Sequence, residues 1–190
     1  MDDKKERIIE IAQKIFARFG IQKSTMDEIA KKARMGKATL YYYFKSKEDI
    51  FAEVIKKESQ ILKQKMIEEI LKADTPQAQI KAYVHTRMRH LKELSNYYIT
   101  LTDEYMEHFS FVEKEREEFT EYERNTLTSI LNNGIEKGVF DLKDVHLTAK
   151  MIIIALKGLE YPLLIEERSE NIGPKIDAML NILFKGLEKR

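Results

Sequence analysis

Apolar residues recur along this chain at the three- and four-residue spacing of amphipathic helices, and no stretch alternates as a half-buried strand would. Ile8, Ile11, Ala12, Ile15, Phe16 and Phe19 share one face and predict a helix from about Lys4 to Phe19. Gly20 follows as a natural C-terminal cap. Ser24 and Thr25 then precede a short helix, Met26 to about Ala33, with Asp27 and Glu28 in its first turn. Acids suit a helix N-terminus, and Thr25 with Glu28 has the spacing of a capping box.

Arg34-Met35-Gly36 is long enough only for a tight turn before a second short helix, Lys37–Tyr43. Ser46 starts a long helix, with Asp49 as a weaker capping-box partner, that carries Ile50, Phe51, Val54, Ile55, Ile61, Leu62, Ile67, Ile70 and Leu71 and ends near Lys72. Thr75-Pro76 opens the next, because proline is tolerated at the first helical position. Further helices are expected at 76–94, 97–108, 111–137, 144–166 and 172–188, separated by polar or Gly/Pro breaks. The fold class is therefore all-α, with about nine helices.

Composition adds little until it is divided along the chain. With 43% hydrophobic and 34% charged residues, the chain reads as a globular protein. It has no apolar run long enough for a membrane span and no signal-peptide pattern, so a cytoplasmic location is the simple expectation. Cysteine is absent, which excludes disulfides and thiolate metal sites. The net charge of +1 conceals an asymmetry: residues 1–47 hold 12 Lys/Arg against 6 Asp/Glu, and the remainder hold 21 against 26. A basic head on an acidic body points to a polyanion that meets only the head.

Two short helices joined by a tight turn form a helix-turn-helix, packed through Ile29, Ala30, Ala33, Leu40 and Phe44. The other faces of Lys37–Tyr43 are then free for the major groove, which admits an α-helix. The stretch STMDEIAKKARMGKATLYYYFKSKEDIF closely resembles the DNA-binding signature of the TetR (tetracycline repressor) family. Thr25, Ile29-Ala30, Ala33, Thr39-Leu40-Tyr41, Phe44 and Lys47-Glu48 all stand where that pattern places them, over about the first 50 residues. Arg34-Met35 departs from it, since the turn commonly reads Gly-Val; the Met fills the apolar slot.

The resemblance implies contact roles at individual positions. Lys37 and Thr39 reach base edges or nearby phosphates, Tyr42 lies against bases or backbone, and Tyr43 gives its hydroxyl to a phosphate. Lys47, at the start of the fourth helix, meets a phosphate with help from the helix dipole. Thr25 is either a similar contact or a cap, and Tyr41 is either a contact or packed inside the unit. The run Tyr41-Tyr42-Tyr43-Phe44 points all round a helix, so it cannot be wholly buried in a small unit.

The resemblance further implies a division into a DNA-binding domain at 1–47 and a domain at 48–190 with a ligand cavity and a dimer interface. Tyr97, Tyr98, Leu101, Tyr105, Met106, Phe109 and Tyr122 are candidates to line that cavity, or else to fill a core. Their character favours an apolar or amphipathic effector, such as a fatty-acyl compound or a hydrophobic drug. The segment 149–165 is apolar around much of its circumference and should be buried on more than one side. Homodimerisation through helices 144–166 and 172–188 accounts for this, and Gly158 permits close approach. A dimer suits a near-palindromic double-stranded operator, and the implied function is a transcriptional repressor released by its effector.

Catalysis is not expected. His85, His90, His108 and His146 lack metal-ligand spacing, and neither a phosphate-binding glycine loop nor a nucleophile elbow is present. The acid-rich run at 113–124 reads as a solvated face. No catalytic residue, metal or cofactor is assigned. The competing reading is a DNA-associated protein-interaction factor without a small-molecule effector.

Overall fold

The computed structural model describes residues 3–93, 110–161 and 173–188, and there the periodic segments are helices. They are α1 (Asp3–Phe19), α2 (Met26–Ala33), α3 (Lys37–Tyr43), α4 (Lys47–Leu71), α5 (Pro76–Glu93), α6 (Ser110–Glu136), α7 (Val145–Tyr161) and α8 (Gly173–Leu187). The helix expected at 97–108 lies outside the described residues. No strand occurs among those described, where an isolated antiparallel bridge joins Phe140 to Glu188.

Helix ends follow local chemistry. Gly20 takes the left-handed conformation at φ 77° and donates its N–H to Phe16 O, ending α1. The Ser46 hydroxyl accepts from the Asp49 N–H while the Asp49 carboxylate accepts from the Ser46 N–H, both at 3.1 Å, which opens α4. Thr75 Oγ1 accepts from Ala78 N to open α5.

The described residues fall into two compact units: one comprises those up to 61 together with 110–115, the other 62–93 and the described residues from 116 onward. The core of the first unit is Ile8, Ile9, Ala12, Ile15 and Phe16 of α1 against Ile29, Ala30 and Ala33 of α2, Leu40 of α3, and Ile50, Phe51, Val54 and Ile55 of α4. Phe16 and Phe51 meet edge to face at 5.4 Å. The α1 face differs from expectation at its edges. Ile9 is buried and Ile11 only half-buried, while Phe19 is 52% exposed beneath the Arg18 guanidinium. The chain turns at Gly20, so no further helical turn covers Phe19.

The second unit packs Leu62 and Met66, Ile80, Val84 and Met88, Leu127 and Leu131, Ile152 and Leu156, and Ile176 and Leu180 into one core. Gly134 is needed on α6, because a Cβ there would overlap the buried Phe140 ring. The acidic run at 113–124 corrects the expectation of a wholly solvated face. Lys114, Glu117, Glu118, Glu121 and Arg124 are exposed, but Phe119 is buried and Glu123 is 0% exposed. Glu123 accepts from the Tyr83 hydroxyl at 2.7 Å and pairs with the buried Arg87 guanidinium, both from α5. A buried carboxylate is tolerable only with such partners.

Candidate nucleic-acid interface

The site is built on α2 and α3. At the start of α2, Thr25 Oγ1 accepts from Glu28 N at 3.2 Å, and the Glu28 carboxylate accepts from Thr25 N at 3.0 Å. The Thr25 hydroxyl also lies 3.0 Å from Glu28 Oε2 and donates to it. Thr25 is therefore a cap, and a phosphate, which only accepts, would compete with Glu28 for its one hydroxyl proton.

At the other end of α2, Arg34 sits at φ 55°, ψ 46°. Met35 N donates to Ala30 O at 3.0 Å and Arg34 N to Lys31 O at 3.2 Å, the pair of bonds of a Schellman motif. This geometry explains why glycine is common here: Arg34 occupies a left-handed position that a Cβ disfavours.

That turn sets α3, which Leu40 pins into the core with no exposed surface. The other residues of α3 are distributed around that anchor. Lys37, Ala38, Tyr41 and Tyr42 are exposed, Thr39 and Tyr43 half-buried, and Phe44 buried. Tyr42, 78% exposed, stands edge to face against Tyr43 at 5.1 Å. The Lys37 ammonium reaches back to Asp27 of α2 at 2.8 Å and lies 6.0 Å from the Tyr41 ring. The hydrogen bond that Lys37 donates to Asp27, and then the Asp27 charge, raise the Lys37 pKa, so it stays cationic.

Lys47 behaves differently from the other expected contacts. Its Nζ donates to Ile21 O at 3.0 Å and to Gln22 O and Ser24 O at 3.3 Å. All three ammonium protons thus lie on carbonyls of the α1–α2 loop. Composition held no sign of this clamp, because its partners are backbone atoms more than twenty residues away.

Of the expected effector-site residues, Tyr97, Tyr98, Leu101, Tyr105, Met106 and Phe109 lie outside the described residues. Tyr122 is half-buried on α6, its hydroxyl 3.4 Å from Lys63 O, and burial raises its pKa. It lines a cleft of about 650 Å³ within the second unit. Elsewhere in that unit, Leu147, Met151 and Ile154 form an exposed apolar stripe on α7, continued by Gly158. On α8, Ile182 is 74% exposed. Among the described residues no group of three His, Cys, Asp or Glu could hold a metal, and no helix is long and apolar enough to cross a membrane.

Comparison with known proteins agrees with this geometry. Residues 8–54 match the family described as bacterial regulatory proteins, tetR family. The HTH-type transcriptional regulator QacR of Staphylococcus aureus is 27% identical over 192 residues, covering 97% of this chain and 98% of its own. The HTH-type regulator YhgD of Bacillus subtilis is 44% identical, but over 63 residues, a third of each chain. The crystal structure of a transcriptional regulator from Cytophaga hutchinsonii superposes with a TM-score of 0.83 at 31% identity, covering 99% of this chain and 100% of that one. FadR of Bacillus subtilis in complex with stearoyl-CoA gives a TM-score of 0.77 at 24% identity, covering 95% and 98%. These curated relatives are regulators rather than enzymes.

Proposed function

This chain belongs to the TetR family of bacterial regulatory proteins, and from that membership we propose a one-component transcriptional repressor that binds a near-palindromic operator as a homodimer and is released by a small apolar or amphipathic effector. Residues 1–47 serve DNA binding, and 48–190 serve effector binding and dimerisation. The observation that carries this reading is α3 itself: a seven-residue helix anchored by Leu40 that exposes Lys37, Tyr41 and Tyr42 in the basic part of the chain.

In this reading α3 enters the major groove. Lys37 and Thr39 work at base edges and nearby phosphates, Tyr42 stacks on bases or backbone, and Tyr43 turns its hydroxyl to a phosphate. Tyr41 adds contact area at the margin. Thr25 and Lys47 act first on the protein, as the cap of α2 and the clamp on the preceding loop, and Lys47 alone of the two brings positive charge to the adjacent DNA backbone.

The exposed apolar stripe of α7, with the exposed Ile182 of α8, supports dimerisation, since an apolar row of this length is ordinarily covered. Two recognition helices about 34–36 Å apart then meet successive major grooves. The stearoyl-CoA complex of the Bacillus FadR, and a choline complex of a Saccharomonospora viridis regulator, support a small-molecule effector in general terms. To release DNA, the effector must bind more tightly to the arrangement that fits the operator poorly.

The test is a titration of the full chain against labelled DNA from upstream of its own gene, with scrambled DNA as control, at two salt concentrations. Operator binding should exceed the control by about 10³ or more and fall steeply with salt. Absence of binding to any DNA at low salt overturns the reading.

A further inference from the structure

The cleft in the second unit has two long walls of different character. On the last turns of α4, Ile67, Ile70 and Leu71 form an aliphatic ridge, with Ile67 and Leu71 exposed. On α6, Asn125, Ser129 and Asn133 follow at intervals of four, a polar row about 12 Å long at the rise of an α-helix. None of these three side chains hydrogen-bonds to another described residue, so their donors and acceptors face the cleft or water. Gln79 closes one end, its amide already given to Ala73 O at 3.2 Å. No lining residue is an acid, a lysine, an arginine or a histidine, in a chain that is 34% charged.

We infer that this cleft binds an uncharged, facially amphipathic small molecule: a fused-ring or macrocyclic compound with one aliphatic face and a row of hydroxyl or carbonyl groups on the other. The assignment rests on the reading of residues 48–190 as an effector-binding domain. The direction of the cleft's polarity selects this class of ligand. The α4 wall is wholly aliphatic, while the α6 wall carries the polar row together with Thr126, the Tyr122 hydroxyl and the buried Ile130. A head-and-tail acyl chain laid in the cleft would press methylenes along Asn125, Ser129 and Asn133 and strip their hydration without replacing it. A charged ligand would lose water and meet no counter-charge. A molecule polar along one edge satisfies the α6 row and covers the α4 ridge together. The volume lies within the range of small-molecule sites.

Equilibrium dialysis of the full chain tests this with three probes below their aggregation limits. Methyl cholate carries three ring hydroxyls on one face, methyl lithocholate has the same skeleton with one, and dodecanoate is an anionic head-and-tail chain. Hydrophobicity alone ranks methyl lithocholate first. The proposal ranks methyl cholate first, by about tenfold or more over each of the others. Ser129→Leu and Ile67→Asn, both at exposed positions, should each weaken methyl cholate by about tenfold, with unchanged helix content by circular dichroism. Methyl lithocholate or dodecanoate binding as tightly as methyl cholate overturns the inference. So does the absence of methyl cholate binding, or indifference to both substitutions. The operator titration, run on the same samples, separates the levels: DNA binding without methyl cholate binding removes the cleft assignment alone, and loss of both removes the regulator reading beneath it.

Discussion

Lys37 at the start of α3 holds both carboxylate oxygens of Asp27 in the first turn of α2, at 2.8 and 3.1 Å. The pair links the two helices of the helix-turn-helix across its exposed side, where the proposed DNA surface lies. Asp27 therefore orients a cation of the proposed DNA surface and places a negative charge beside it.

Two substitutions separate these effects. Lys37→Ala should weaken operator binding and make the slope of log K against log salt shallower by about 0.9, the value of one phosphate contact. Asp27→Asn frees the ammonium and removes a repulsive charge, so binding to scrambled DNA should tighten and the operator-to-scrambled ratio should narrow. Filter binding across a salt series measures both; an unchanged slope in Lys37→Ala would assign that lysine to the protein surface alone.

The exposed apolar row of α7 and the exposed Ile182 of α8 give a prediction about assembly. Ile154→Glu in the α7 row and Ile182→Glu on α8 each place a charge on a surface proposed to meet a second copy. Sedimentation should show monomers, and operator affinity should drop by about 10²-fold or more as two-site engagement is lost. Dimers of unaltered strength would move the interface elsewhere.

Arg34 offers a gain rather than a loss. Because it sits at φ 55°, Arg34→Gly should raise the unfolding free energy by about 1 kcal/mol in urea titration. Unaltered or lowered stability would mean that the arginine side chain compensates for its backbone.

Glu123 is the sensitive point of the second unit. Glu123→Leu removes the acceptor of both Arg87 and Tyr83 and should lower stability by about 3–5 kcal/mol, seen as a fall in Tm. The double substitution Arg87→Met/Glu123→Leu should recover most of the loss, because no buried charge is left facing an apolar group.

Asp177 sets a pH dependence. Hydrogen bonds from Lys81 and His85 hold its carboxyl below the ordinary value of 3.8. A lowered folded pKa means that the contribution is complete above the ordinary carboxylate value and is lost as pH falls through the lowered one. Asp177→Asn should thus melt below the wild type at neutral pH, and the gap should close as pH falls below 3.8 through the lowered carboxyl value. A gap independent of pH would assign the effect to packing between α5 and α8.

Much of this arrangement is legible in the chain because its causes are local. The 3.6-residue period marks the helices, and Gly20, Thr25 with Glu28, Ser46 with Asp49, and Thr75 with Pro76 mark their ends within four residues of one another. The helix-turn-helix follows from the same signals, since its turn leaves Leu40 and Phe44 a single way to be buried.

What the tertiary structure decided are pairings between distant residues. The period of 113–124 is polar on average, and only the approach of α5 turns Glu123 inward to Tyr83, forty residues away. Lys47 looks like a free cation until folding brings the carbonyls of Ile21, Gln22 and Ser24 to its ammonium. The polar row on α6 acquires meaning only opposite the aliphatic ridge of α4. Helix formation and capping depend on hydrogen bonds between near neighbours, so the order of residues determines them. Which charge is buried, and which wall faces which, depends on chain-distant surfaces meeting, and those contacts exist only once the helices have packed.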